Sequence, residues 1–186
     1  MKTIKNRIAA IAVMLAVATS AVIAAPQPAR ETVSNDQQIA QKVRRELVTL
    51  PFYGVFDNLA YKIDGSTVTL YGQVVRPTTR SDAEQRVKRL SGVARVVNNI
   101  EVLPLSTFDD SVRLGTYRAV FNTAGLYRYA MGANPSVHIV VARGHVTLEG
   151  VVSNRMDSQL AYIAANGVPG VFSVTNNLRV ENSRAY

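Results

Sequence analysis

Val68-Thr69-Leu70-Tyr71-Gly72-Gln73-Val74 returns later in the chain as Val146-Thr147-Leu148-Glu149-Gly150-Val151-Val152, a shift of 78 residues. The same shift carries Ala83 onto Ala161, Gly92-Val93 onto Gly170-Val171, Val96 onto Val174, Asn98-Asn99 onto Asn176-Asn177 and Val102 onto Val180, with no gap. Register held through a strand, a helix and a second strand marks a duplicated domain, not a chance motif. Each copy is long enough to form a small domain, though one at the marginal end for core burial. Leu103-Pro104-Leu105-Ser106-Thr107 separates the copies. A linker this short, stiffened by proline, is expected to hold them close.

Within the quoted stretch Val68, Leu70, Gly72 and Val74 alternate, and ahead of it Leu59, Tyr61 and Ile63 alternate across the turn residues Asp64-Gly65, so the pair reads as a β-hairpin. Gly72 and Gly150 stand where a strand side chain belongs, which points to a close backbone approach or a bulge in both copies. Upstream, Ser34 and Gln37 have the form of a capping box. Ile39, Val43, Leu47 and Leu50 then recur at helical spacing until Pro51. Downstream, a helix is predicted from about Thr79 with Ala83, Val87 and Leu90 inward. Gly92 ends it, and Val96, Asn98, Ile100 and Val102 form a closing strand.

The second copy repeats the order, with a helix from about Asp110, strands around 137–141 and 146–152, a helix from about Asn154 and a strand to Val180. Its first helix is less regular, and Gly115 is expected to weaken the interior. The fold class is therefore α+β: two tandem αββαβ domains, each a three-stranded mixed sheet packed against two helices on one face.

Lys2, Lys5 and Arg7 precede an almost wholly apolar run from Ile8 to Ala21, the charged and hydrophobic regions of a secretory signal peptide. Val22-Ile23-Ala24 places small or acceptable residues before a cut, so cleavage is expected after Ala24. The run is shorter than the roughly 20 residues a membrane-spanning anchor needs. The expected layout is signal peptide 1–24, flexible segment 25–33, first domain 34–103, linker 104–108, second domain 109–181 and tail 182–186. The chain has no cysteine, which excludes disulfides and a lipoprotein anchor. Its formal net charge of +8 falls to +5 once the leader's three basic residues are removed. That balance suits anionic surfaces or an ordinary solvated exterior alike.

A basic amphipathic helix, a hairpin reading V-T-L-x-G-x-V, a second helix and a closing G-V-x-x-V-x-N-N-[IL]-x-V together resemble the BON domain of bacterial envelope proteins. Two copies behind a signal peptide are similar to double-BON proteins of the periplasm, an osmotically inducible one among them. The resemblance covers about Ser34–Leu103 and Asp109–Glu181. It implies a periplasmic, non-catalytic module that binds anionic phospholipids or a membrane surface and supports envelope integrity and stress tolerance. The competing class is a protein-interaction or chaperone-like module that takes an envelope protein's strand at a sheet edge.

The candidate lipid-binding set joins Lys42, Arg44 and Arg45 of the first helix to the aromatic loop residues Phe52, Tyr53 and Phe56, with Tyr127, Arg128 and Tyr129 in the comparable place of the second copy. Such aromatics either insert at a membrane interface or cap a small core. Asn98 falls in phase with Val96 and Ile100 and is read as a buried amide bonded to the hairpin or a helix end, with Asn99 facing outward. Gly72, Gly92, Asn98, Asn99, Gly150, Gly170, Asn176 and Asn177 form the repeated structural motif. The first copy is the more basic, with ten basic against seven acidic residues over 35–105, compared with six against five over 106–182. His138 and His145 lack the companions of a metal ligand set. No cofactor and no enzyme activity is expected, since nucleophile, phosphate-loop and dinucleotide signatures are missing. Gly167-Val168-Pro169-Gly170 spells a GxxG loop, but export separates it from RNA, so no nucleic-acid partner is expected.

Overall fold

The computed structural model describes residues 28–132 and 134–181. The signal peptide, its cleavage after Ala24 and the 182–186 tail lie outside the described residues.

The first unit runs α1 (Pro28–Val48), β1 (Asn58–Asp64), β2 (Thr67–Val74), α2 (Pro77–Lys88) and β3 (Arg95–Val102). β1 pairs antiparallel with β2 across the Asp64-Gly65 turn, and β3 lies parallel to β2 on its other side, since α2 carries the chain back over the sheet. Val68, Leu70 and Val74 point under the helices and meet the stripe Ile39, Val43, Leu47 and Leu50 of α1. Each such aliphatic side chain contributes roughly 1.5–3 kcal/mol by leaving water.

The second unit runs α3 (Thr107–Phe121), a short 3-10 turn (Leu126–Ala130), β4 (Val137–Ala142), β5 (His145–Val152), α4 (Arg155–Asn166), β6 (Ser173–Asn176) and β7 (Arg179–Val180). β4 is antiparallel to β5, and β6 and β7 both run parallel to β5 on its far edge. The third strand is thus continuous in the first unit and interrupted at 177–178 in the second. In both units the asparagine side chain accepts from the backbone N–H two residues on, Ile100 at 3.1 Å and Leu178 at 3.2 Å. That local bond competes with the ladder. The buried Ile100 anchors β3 through it, whereas Leu178 is only half-buried and the ladder gives way.

Three boundaries differ from the sequence reading. α1 starts at Pro28, not Ser34, so part of the segment taken as flexible is helical; proline's fixed φ suits a first turn as well as a capping serine does. α2 likewise starts on Pro77 instead of Thr79. α3 starts at Thr107, where the Ser106 side chain accepts from Asp109 N at 3.1 Å, so the helix takes the end of the linker. Gly115 also has a packing role, since a Cβ there would lie 2.9 Å from Val168 Cγ1.

The two units meet through the 51–57 loop. Val55 and Phe56 pack on the second core while Tyr53 packs on the first. Ile139 N donates to Val55 O at 2.7 Å. Consequently every residue from Val137 to Val141 is buried: Val137, Ile139 and Val141 face their own core, and His138 and Val140 alternate with them.

Candidate functional site

The repeated glycines serve the hairpins. Gly72 and Gly150 have φ of 115° and 119°, and a Cβ at either would press into the carbonyl of Asn58 or of Ser136. The repeated asparagines tie helix to strand. Asn98 Nδ2 donates to Arg80 O at 3.2 Å and Glu84 Oε2 at 3.0 Å, and Asn176 Nδ2 donates to Ser158 O at 3.1 Å and Ser158 Oγ at 3.0 Å. The partners lie inside α2 and α4, not at a helix end. Asn98 is half-buried and Asn176 exposed, because each sits on an edge strand covered only by one helix. Asn99 and Asn177 face outward, and Asn177 Nδ2 donates to Glu149 at 2.7 Å. Gly92 and Gly170, at φ 96° and 87°, lie against Ile39 and against Phe108 and Val112.

The candidate lipid-binding residues are divided between surface and interior. Phe52 is 66% exposed, with φ of 65°, and the Arg76 guanidinium lies 4.5 Å from its ring centroid. Tyr53 and Phe56 face inward instead. The Tyr53 ring lies 5.5 Å from that of His138, and burial pushes its hydroxyl pKa up to about 12. Phe56 sits edge-on to Tyr117 at 6.1 Å. Asp57 secures this loop: Oδ1 accepts from Val75 N at 2.7 Å and Oδ2 from Gly54 N at 3.1 Å.

In the second unit Tyr129 takes the place of Asp57, its hydroxyl accepting from Ser153 N at 2.9 Å and bonding the Asp157 carboxylate. Arg128 pairs with the same carboxylate and stacks over the Tyr129 ring at 4.7 Å. Asn154 Nδ2 completes the cluster, 2.9 Å from Asp157 Oδ2. These bonds commit Arg128 and Tyr129 to the domain's own structure, and only Tyr127 of that trio faces solvent freely. Lys42, Arg44 and Arg45 are exposed, with Lys42 Nζ bonded to Ser91 Oγ at 2.9 Å. The two histidines lie at opposite ends of their hairpin, His138 opposite Glu149 and His145 opposite Ala142. Among the described residues no three His, Cys, Asp or Glu side chains converge to hold a metal.

A family model of the BON domain matches residues 35–104 and 128–182. The chain belongs to the BON domain family. BON domains are associated with phospholipid binding and bacterial envelope proteins, and are in general non-catalytic. The second match begins beyond α3, the helix whose pattern departs most from its counterpart. None of the curated proteins is detectably similar. Two solved structures of CdsD, a structural protein of the type III secretion system of Chlamydia trachomatis, are similar at 14% identity. Its C-terminal domain covers 76% of this chain and 96% of its own at a TM-score of 0.27, and the second covers 78% and 94% at 0.28. No helix among the described residues is long and apolar enough to cross a membrane.

Two features of the second BON domain escape sequence reasoning. Phe108 and Phe172 stack at 5.8 Å and remain 46% and 69% exposed beside the β4–β5 turn. The 78-residue shift sets Phe172 on Ala94, and that mismatch is the one sequence signal for it. Arg113 is buried within α3, paired with Asp110 and donating to Val141 O at 2.9 Å.

His138 gives the junction of the BON domains a pH dependence. Burial lowers its pKa below 6.5, more than the backbone of Gly54 and Asp57 and the charges of Asp57 and Glu149 raise it. The unfolded state therefore binds the proton more readily, so the stability it contributes is full above pH 6.5 and is lost as pH falls toward the folded value. Asp57 acts in the opposite sense from 3.8 upward, since burial raises its pKa despite its hydrogen bonds. The urea midpoint is expected to fall between about pH 7.5 and 5.5, and to fall much less in His138→Gln. An equal decline in the variant would place the titration elsewhere.

Proposed function

We propose that this BON protein is exported to the periplasm and docks, without catalysis, on anionic phospholipid surfaces through the end of its first domain where α1 stops and α2 starts. Phe52 carries this reading. A non-glycine residue in the left-handed region costs about 1–2 kcal/mol, and here that conformation holds an aromatic ring outside the core. Arg76 lies over the ring and Arg45 is exposed in the last turn of α1 close by in sequence. Ring and cations together suit an interface that is apolar below and anionic above. Glu46, the nearest acid on α1, is engaged by Arg86 at 3.5 Å.

Phe52→Ser is expected to reduce flotation of the protein with phosphatidylglycerol vesicles several-fold, with phosphatidylcholine vesicles binding little at the outset. Raising salt from about 0.1 to 1 M, which shortens the screening length from about 10 to 3 Å, should release the native protein. Unchanged flotation of a folded Phe52→Ser protein would remove the reading. Binding that survives high salt would favour strand addition instead. That mode has β3 and the β6–β7 edge to use, because β4 already bonds Val55.

A further inference from the structure

Between α1 and β1 of the first BON domain and β4, β5 and β7 of the second lies a cleft of about 640 Å³. Small-molecule sites have volumes of this order and concentrate at domain interfaces. Arg44 lines it from the first domain and Arg179 from the second, with Glu181 the one carboxylate among the described lining residues. Neither arginine has a salt-bridge partner among the described residues. His138 also lines the cleft and is only 9% exposed. Its Nδ1 lies 3.2 Å from Gly54 O. A carbonyl can only accept, so Nδ1 carries the proton and the neutral ring keeps an acceptor lone pair on Nε2. The Asp57 backbone also lies within reach of the ring, and among the described residues no side chain donates to that nitrogen.

Two guanidinium groups that line one cleft from separate domains supply the charge and the hydrogen-bond donors that a phosphate calls for. An imidazole acceptor calls for a hydroxyl donor. We propose that the cleft binds a small hydroxyl-bearing phosphate ester, its anionic group between Arg44 and Arg179 and a hydroxyl donating to His138 Nε2. Such a ligand bridges the two BON domains and stabilises their packing by mass action. The cleft adjoins the membrane-docking end through Val48 and Tyr53, but neither Phe52 nor Arg76 lines it. The ester group belongs equally to a soluble polyol phosphate and to a phosphoglycerol lipid headgroup.

The intact protein, titrated calorimetrically with glycerol 3-phosphate and with glucose 6-phosphate and separately floated with phosphatidylglycerol vesicles, distinguishes these sources. The same measurements are made on Arg44→Gln, Arg179→Gln and Phe52→Ser. Affinity for a soluble ester that drops about tenfold in each arginine variant and holds in Phe52→Ser supports the cleft with a soluble ligand. Silence toward the soluble esters, with vesicle binding that falls in Arg179→Gln, assigns the same chemistry to a headgroup. Binding indifferent to both arginines, or no binding of any probe, overturns the proposal.

Discussion

Gly72→Ala should unfold the first BON domain, and Gly150→Ala the second. At φ of 115° and 119° an L side chain is strained whatever space surrounds it. Space is also missing: the added Cβ would lie 2.9 Å from the Asn58 carbonyl carbon in one case and 3.0 Å from that of Ser136 in the other, with the carbonyl oxygens nearer still. The obstacle is backbone paired in the same hairpin, so it cannot swing aside. A loss of more than about 4 kcal/mol is expected, the range of the most damaging single substitutions. It is comparable to the whole stability of a small domain. Gly65→Ala is the control, since its φ is 57° but nothing lies within 4 Å of the added carbon. It should cost only about 1–2 kcal/mol. Urea denaturation of the three variants checks the ranking; a Gly72→Ala protein as stable as Gly65→Ala would show that the hairpin opens to admit a side chain.

Asp109→Ala should be the most damaging change among the acidic residues. Asp109 is 1% exposed, and its two carboxylate oxygens accept from Arg143 N at 2.9 Å and Gly144 N at 2.8 Å. It also stands in the first turn of α3, where a negative charge meets the positive end of the helix dipole. Removal leaves two buried-side N–H groups of the β4–β5 turn without acceptors, at roughly 1–3 kcal/mol each. It also frees Arg143, which is held at φ 53°. A total of about 3–5 kcal/mol is expected by chemical denaturation. Asp109→Asn, which can keep one acceptor, should recover part of it. Equal midpoints for native protein and Asp109→Ala would mean that water replaces the carboxylate at the turn.

The legible part of the fold was what local pattern determines. The alternation through Val68, Leu70 and Val74 could only put one face inward, and the 78-residue shift transferred that reading to Val146, Leu148 and Val152. The start of α1 was less legible because two helix-start signals, Pro28 and Ser34, lie six residues apart and local chemistry does not choose between them. For the aromatics of the 51–57 loop the sequence left lipid-facing and core-capping roles open, and the structure exposes Phe52 while turning Tyr53 and Phe56 inward. Aromatics in a short loop have the same local pattern whether they face lipid or a neighbouring domain, and the deciding partners, His138 and Tyr117, are distant in sequence. The ion pair of Arg128 was hidden for the same reason, since its partner Asp157 is 29 residues away. Arg113 reads as a surface cation until Val141 O is seen to receive it.

The two-sided burial of β4 bears on how such a chain can be built and divided. A tandem duplication ordinarily yields two separable modules, yet here the later copy has surrendered one face of its edge strand to the earlier one. The second half, produced alone, should expose Val140 and the ring of His138 and be prone to self-association, whereas the first half loses only the cover of its 51–57 loop. During synthesis the first copy emerges first and supplies a finished surface on which the second can complete itself. The order of the copies along the chain is therefore part of the design: exchanging them would deliver the dependent half before its support.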